Sequence, residues 1–335
     1  MKRKLTPELS IIIPCFNEED VIPLLLPELE KLDETLPFPV FFLFVDDGSA
    51  DNTFALIMEA CNRNERFACL SLSRNFGHQN AVSAGLRHAR GDIIAVIDAD
   101  LQDPPAVIPA FVEKWREGYD VVYGIRKNRK EGWPQRLAYA LFYRILKRIA
   151  NIDVPLDAGD FSLMDRQVVD VINQMPEHNR FIRGLRGWVG FRQTGVAYER
   201  QGRTRGESKY TFSKLLKLAF DGLISFSAVP LWLAGWMGAL SAMLGFFYML
   251  YALVCRIAGI QLPEGWTSTI IVVLFLGGIQ LMVLGILGNY IGRIFDEVKN
   301  RPHYVANQTG GWLTDAIQFY DSAHAENIRT SIREL

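Results

Sequence analysis

Cysteine is scarce. Cys15, Cys61, Cys69 and Cys255 are the only four in 335 residues, and no two form a C-x-x-C pair. The five histidines show no metal-ligand spacing. A disulfide scaffold and a cysteine-rich zinc site are thereby excluded, and the thiols read as free groups of a reducing compartment. An excess of one charge is also missing. The net charge is −1, so no global basic field points to nucleic acid. Glycine-rich phosphate cradles are absent too. Neither G-x-G-x-x-G nor G-x-x-x-x-G-K-[ST] occurs, which weakens dinucleotide and P-loop readings. The amino terminus does not read as a secretory signal. Met1–Lys4 is basic, but the apolar run Leu9–Pro14 is too short and no small-residue cleavage site follows. The bulk of the chain is therefore expected on the cytoplasmic side.

What is present begins with alternation. Ser10–Ile13, Val40–Val45, Ala68–Leu72, Ile93–Ile97 and Asp120–Tyr123 are short apolar runs, as expected for strands buried on both faces. Between them Glu18–Leu36, Asn52–Asn64, Gly77–Ala89 and Pro105–Glu117 are long enough for crossover helices. This order predicts an α/β fold around a doubly wound, mostly parallel sheet.

The composition changes after residue 210. Residues 211–229 place Phe212, Leu215, Leu216, Ala219 and Leu223 on one helical face, with Lys214, Lys217 and Asp221 off it. A basic helix with one apolar face suits a membrane interface. No charged residue occurs from Gly222 to Cys255 or from Gly265 to Gly292, and each run exceeds the roughly 20 residues that cross a bilayer core. Two transmembrane helices are expected, at 230–255 and 267–292, with a short external loop within the segment 230–293. The flanking lysines and arginines place both termini in the cytoplasm. The domains predicted are thus 1–210 catalytic, 211–229 interfacial, 230–293 membrane and 294–335 a cytoplasmic tail. Basic residues concentrate at 126–148 and 180–217, which reads as a surface facing phosphates.

Four polar clusters follow four of the strands: Pro14–Glu19, Asp46–Ser49, Ser73–Gly77 and Asp98–Asp103. In an open α/β sheet, ligands sit beyond the carboxyl ends of the strands, so these clusters should converge. Carboxylates dominate them, and a phosphate cannot sit among carboxylates without a cation. Asp98, Asp100 and Gln102 supply hard oxygen ligands for Mg²⁺ or Mn²⁺. A lone D-x-D arises about once by chance in a chain of this length. Its place at a strand end, downstream of Asp46–Asp47, raises its weight.

Ile-Pro-Cys-Phe-Asn-Glu-Glu (13–19), Val-Asp-Asp-Gly-Ser-Ala-Asp-Asn-Thr (45–53) and Asp-Ala-Asp-Leu-Gln-Asp-Pro-Pro (98–105) resemble the ordered motifs of family 2 glycosyltransferases with the GT-A fold. Asn75–Ala81 and Gly206–Tyr210 add to the likeness. The branch resembled is the polyprenyl-phosphate glycosyltransferases, which includes bactoprenol glucosyltransferases and dolichol-phosphate mannose synthases. Processive polysaccharide synthases of this fold carry Q-x-x-R-W, which the chain lacks. The resemblance implies that Pro14, Phe16, Glu18 and Asp46 hold base and ribose. It implies that Asp98, Ala99, Asp100 and Gln102 hold metal and diphosphate. Arg203 and Lys209 match positions near the donor phosphates, and Arg126 and Arg136 match basic residues near the acceptor phosphate. Phe16 stands where some relatives have tyrosine and so brings no hydroxyl.

The expected reaction moves one hexose, glucose from UDP-glucose, to polyprenyl (undecaprenyl) phosphate with inversion. Asp157 is the expected catalytic carboxylate, as base or as aligner of the acceptor, with Asp160 as its rival. The partners expected are the nucleotide sugar, the lipid phosphate and the membrane, without nucleic acid, and a homo-oligomer is compatible with the sequence. Alternatives are a mannose synthase using GDP-mannose, a polysaccharide-extending enzyme, and a non-catalytic nucleotide-sugar sensor in the membrane.

Overall fold

The computed structural model describes residues 3–127, 158–178, 180–199, 229–258 and 265–314. Arg136, Asp157, Arg203, Lys209 and the expected interfacial helix up to residue 228 lie outside the described residues. Two compact units are present. An α/β unit includes 3–127, 158–178, 180–199 and 302–314, and a helical unit includes 229–258 and 265–301.

The α/β unit is built on eight strands. Four of them are β1 (Leu9–Cys15), β2 (Val40–Asp46), β3 (Phe67–Leu72) and β4 (Ile93–Val96). They form a parallel set in which β1 lies between β2 and β4, and β3 pairs with β2. The remaining strands are β5 (Val121–Lys127), β6 (Ala158–Asp165), β7 (Gln193–Glu199) and β8 (Ala306–Gly311). The sheet order is β7-β5-β6-β4-β1-β2-β3-β8. Strand β6 runs antiparallel to both β4 and β5, β7 is parallel to β5, and β8 is antiparallel to β3. The sheet is therefore mixed, with a parallel centre.

Side chains alternate across β1, and this alternation divides the core. Ile11 and Ile13 join Phe42, Phe44 and Phe111 on one face. That face is covered by α1 (Ile22–Thr35), α2 (Thr53–Arg63) and α4 (Ile108–Arg116). Ile12 joins Leu43, Val45 and Leu70 on the other. There α3 (His78–His88), α5 (Arg166–Gln174) and α6 (Ile182–Trp188) pack. Both faces are thus buried, which explains why the central strands are apolar throughout.

Strand β8 falls within the segment read from sequence as a tail. It covers the β3 edge, which would otherwise present unpaired backbone groups. Trp312 donates its indole N–H to the Arg66 carbonyl at 3.1 Å and meets Phe41 edge-on at 6.2 Å. Leu313 is fully buried. Just before the strand, Tyr304 Oη lies 3.0 Å from His88 Nε2. Burial, with help from Arg87, pushes the His88 pKa down to about 4, so the ring is neutral and can accept the Tyr304 proton.

The helical unit contains α7 (Val229–Ile257) and α8 (Trp266–Val298). Within them, Ala234–Cys255 and Ile271–Val298 are long and apolar enough to cross a membrane. Side chains such as Phe246, Phe247, Leu274 and Phe275 are exposed along them. The 22 residues of the first stretch rise about 33 Å, against a bilayer core of about 30 Å.

Two outcomes follow from the packing of β8. Leu313→Ala should destabilise the α/β unit by about 2–5 kcal/mol, read as a lowered melting temperature of the full chain in detergent. His88 has its pKa lowered on folding, so the unfolded chain binds the proton first. Its contribution is complete above pH ~6.5 and is lost as pH falls through about 4. Thermal melts of His88→Gln should show a flatter dependence over that window than the wild type.

Candidate active site

The site starts from turns at the carboxyl ends of the parallel strands. After β2 the chain reverses at Gly48, whose φ is +71° and where an added Cβ would sit 2.5 Å from the Arg74 carbonyl carbon. Only glycine fits there. The two preceding carboxylates are both used internally. Asp46, buried, accepts from Ser49 N at 3.1 Å and from Ser71 Oγ at 3.0 Å. Asp47 accepts from the amides of Phe76 (2.7 Å) and Gly77 (2.9 Å). Burial raises the Asp47 pKa, and the two amide bonds work against that rise. Asp47 thereby fixes the start of α3. The loop after β1 is laced to the same region, since Asn17 Oδ1 accepts from Ala50 N at 2.9 Å and Glu18 N donates to Thr53 Oγ1 at 2.7 Å. Pro14 is buried at the end of β1, Phe16 is exposed and Glu18 is half-buried.

The Asp98–Asp103 segment leaves β4 with Leu101 at a positive φ of 57°. Asp98 and Asp100 are half-buried, whereas Ala99 and Gln102 are buried. Gln102 N donates to Asp100 Oδ1 at 3.1 Å. Strand β6 runs antiparallel alongside, with Val96 paired to Ser162. That register carries Asp160 to the level of Asp98, although 62 residues separate them in sequence.

His78, at the start of α3, stands between these two carboxylates. Its Nε2 is 3.4 Å from Asp160 and 3.8 Å from Asp98. Burial disfavours charge on His78, but Asp160 and Asp98 together outweigh it and raise its pKa. Asp98 is pushed up to about 6, first by burial and then by the charges of Asp160, Asp103 and Asp100, with His78 opposing. Asp160 moves the other way. Burial would raise it, but His78 and the bidentate Arg183 guanidinium, both bonds 2.8 Å, hold it well below the usual carboxylate range. Asp160 therefore stays ionised, paired with Arg183 and close to His78.

Cationic groups gather beside Asp160. Arg126 donates to Tyr198 Oη at 3.3 Å and lies 3.6 Å from Asp103, to which Tyr198 Oη also donates. Arg186 is fully buried and reaches the Gly159 carbonyl at 3.3 Å, and burial lowers its pKa to about 10.

The structure thus brings together Pro14, Phe16, Glu18, Asp46, Asp98, Ala99, Asp100, Gln102 and Arg126 at one end of the sheet. Asp157, Arg136, Arg203 and Lys209 are not among the described residues. The sequence placed Asp47, His78 and Gln79 within motifs and Arg183 and Arg186 within a basic segment facing phosphates, without an individual role for any of them. The three-residue spacing of Arg183 and Arg186 on one short helix was a usable signal; nothing in the sequence marked the link from Asp47 to α3. Among the described residues, no group of three or more His, Cys, Asp or Glu side chains is arranged to hold a metal ion. The donor chemistry nevertheless fits a divalent cation. Asp98 and Asp100 offer hard oxygens at one strand end, and a cation would offset the burial and the neighbouring carboxylates that disfavour charge on Asp98.

Residues 10–172 match the profile of Glycosyl transferase family 2. An uncharacterized glycosyltransferase of Bacillus subtilis (strain 168) is 45% identical over 303 residues, which cover 90% of this chain and 94% of that protein. The SfII prophage-derived bactoprenol glucosyl transferase of Shigella flexneri is 39% identical over 303 residues, covering 90% and 98%. Among solved structures, a mannosyltransferase from Pyrobaculum calidifontis in complex with GDP-Man and Mn²⁺ aligns with a TM-score of 0.45 at 16% identity, over 87% of this chain and 88% of that one. With identity of this order across nearly the whole length of its relatives, the chain belongs to glycosyl transferase family 2.

Proposed function

We propose that the protein transfers a single hexose from a nucleotide sugar to polyprenyl phosphate at the cytoplasmic face of a membrane, inverting the anomeric centre. The observation that carries this reading is the gathering of Asp98, Asp100, Asp103 and Asp160 at one end of the sheet, where burial first and these neighbouring charges second raise Asp98 to about 6. Such a cluster suits a cation-bound diphosphate. Relatives called bactoprenol glucosyl transferases, matched over 98% of their length, support the lipid acceptor and favour UDP-glucose as donor. GDP-mannose is the alternative donor, and undecaprenyl phosphate is the acceptor favoured.

In this reading Asp98 and Asp100, with Gln102, hold Mg²⁺ or Mn²⁺, and the bound ion would neutralise the diphosphate and ease its departure. Pro14, Phe16 and Glu18 line the nucleoside side. Asp46 lines it too, and it also holds the turn through Ser49 and Ser71. Ala99 lets the backbone approach the diphosphate, and Arg203 and Lys209 contact it. Arg126 and Arg136 receive the acceptor phosphate. That phosphate is largely ionised at neutral pH, so the demand on Asp157 is alignment of the attacking oxygen with the anomeric carbon as much as proton removal. Helices α7 and α8 would anchor the chain in the membrane, where a lipid phosphate resides.

Incubation of the full chain in detergent with radiolabelled UDP-glucose and polyprenyl phosphate should give a chloroform-soluble product, abolished by EDTA and restored by Mn²⁺ or Mg²⁺. Asp100→Asn should lower the rate by about 10²–10³-fold; an unchanged rate would remove the metal assignment. Asp157→Asn should slow turnover by about 10²-fold or more, and near-normal turnover would take that residue out of the chemistry. Binding measured across UDP- and GDP-sugars decides the donor.

A further inference from the structure

One group at the site has no part in the roles above. Arg183, on α6, is half-buried and pairs with Asp160 through both Nε and Nη2 at 2.8 Å. Gln79 braces this pair from both sides. Its Oε1 accepts from the amide of Ile182 at 2.8 Å, and its Nε2 donates to Asp160 Oδ2 at 3.4 Å. The bidentate grip fixes the plane of the guanidinium and turns its Nη1 side away from Asp160.

The surroundings are arranged for an anion. Gly159 lies among three guanidinium groups. A Cβ there would stand 3.3 Å from Arg126 Nη2, its carbonyl accepts from Arg186, and the next residue holds Arg183. Asp103 lies beside Arg126 and Asp160 is paired with Arg183, and Arg186 adds a third guanidinium at the Gly159 carbonyl. From Arg183 a chain of contacts runs through Asp160 and His78 to Asp98. One end of that chain offers carboxylates suited to a metal-bound diphosphate, and the other offers a guanidinium. In a single displacement the incoming oxygen and the leaving group occupy opposite faces of the anomeric carbon. Two anion seats with groups between them are therefore what a transfer from one phosphate to another needs.

We propose that Arg183 is a ligand of the acceptor phosphate, held in orientation by Asp160 and Gln79 as positioning residues. This rests on the transfer reaction proposed above. Arg183 acts beside Arg126, and a planar guanidinium held in a fixed orientation suits a phosphate better than the point charge of a lysine.

The test is steady-state kinetics of the full chain in detergent, varying UDP-glucose and polyprenyl phosphate separately. Arg183→Met should raise the KM for polyprenyl phosphate by about 10–100-fold, as expected for a lost charge-assisted hydrogen bond, while the KM for UDP-glucose stays within about twofold. Arg183→Lys, which keeps the charge and loses the fork, should fall between, and it serves on the same scale if the methionine variant does not fold. Asp160→Asn should move the acceptor KM in the same direction. A donor KM that rises as much as the acceptor KM overturns the proposal, since a diphosphate ligand or a merely structural residue would behave that way. An unchanged acceptor KM also overturns it. A wild-type protein that forms no lipid-soluble product defeats the transfer reaction itself, whereas an active wild type with an unmoved acceptor KM defeats only the role of Arg183.

Discussion

The antiparallel pairing of β6 with β4 is the constraint on which the site depends. Val96 opposite Ser162 leaves no freedom in where Asp160 stands relative to Asp98, because a slip of one residue would turn every β6 side chain to the other face. Phe161 and Leu163 fill one half of the core and Met164 fills the other. Burial of these side chains thus sets the register, and the register sets the spacing of the charges. A crowd of carboxylates that would repel one another in a loose loop is held by apolar packing behind it.

The electrostatics of the site follow from that enforced proximity. Asp98 and Asp160 sit at one level of the sheet, yet burial acts on them with opposite outcomes. Asp160 is compensated by Arg183, Gln79 and His78 and remains ionised. Asp98 has His78 on one side and three carboxylates around it, and its charge is disfavoured. The two carboxylates thus differ in surroundings: Asp160 is held by its neighbours, and burial with nearby carboxylates disfavours charge on Asp98. Asp47 makes the arrangement possible from below, since its two amide bonds fix where α3 begins and hence where His78 and Gln79 stand.

Local pattern was sufficient for the central strands. Expected runs such as Val40–Val45 and Ile93–Ile97 differ from β2 and β4 by a single terminal residue, because strands buried on both faces leave an apolar signature that needs no partner to be read. The convergence of the polar clusters was legible for the same reason, as parallel strands share one end. Strand β8 was not legible. Ala-Asn-Gln-Thr-Gly-Gly is polar and glycine-rich, and it is a strand because the β3 edge offers it hydrogen bonds and Trp312 and Leu313 anchor it. The surroundings of Asp46 were not legible either. Its place in an Asp-Asp-Gly-Ser turn says that a carboxylate is present, but the direction in which that carboxylate points depends on Ser71 of the neighbouring strand.

The sequence by itself determined the order of the elements, the two uncharged runs and the carboxylates at the strand ends, because periodicity, length and turn chemistry are local properties. Only the tertiary structure decided which charges meet. Arg183, Asp160, Gln79 and His78 come from three separate stretches of chain, and their ionisation depends on burial and on neighbours brought close by folding. That is why the pairing of Asp160 with Arg183 could not be read in one dimension.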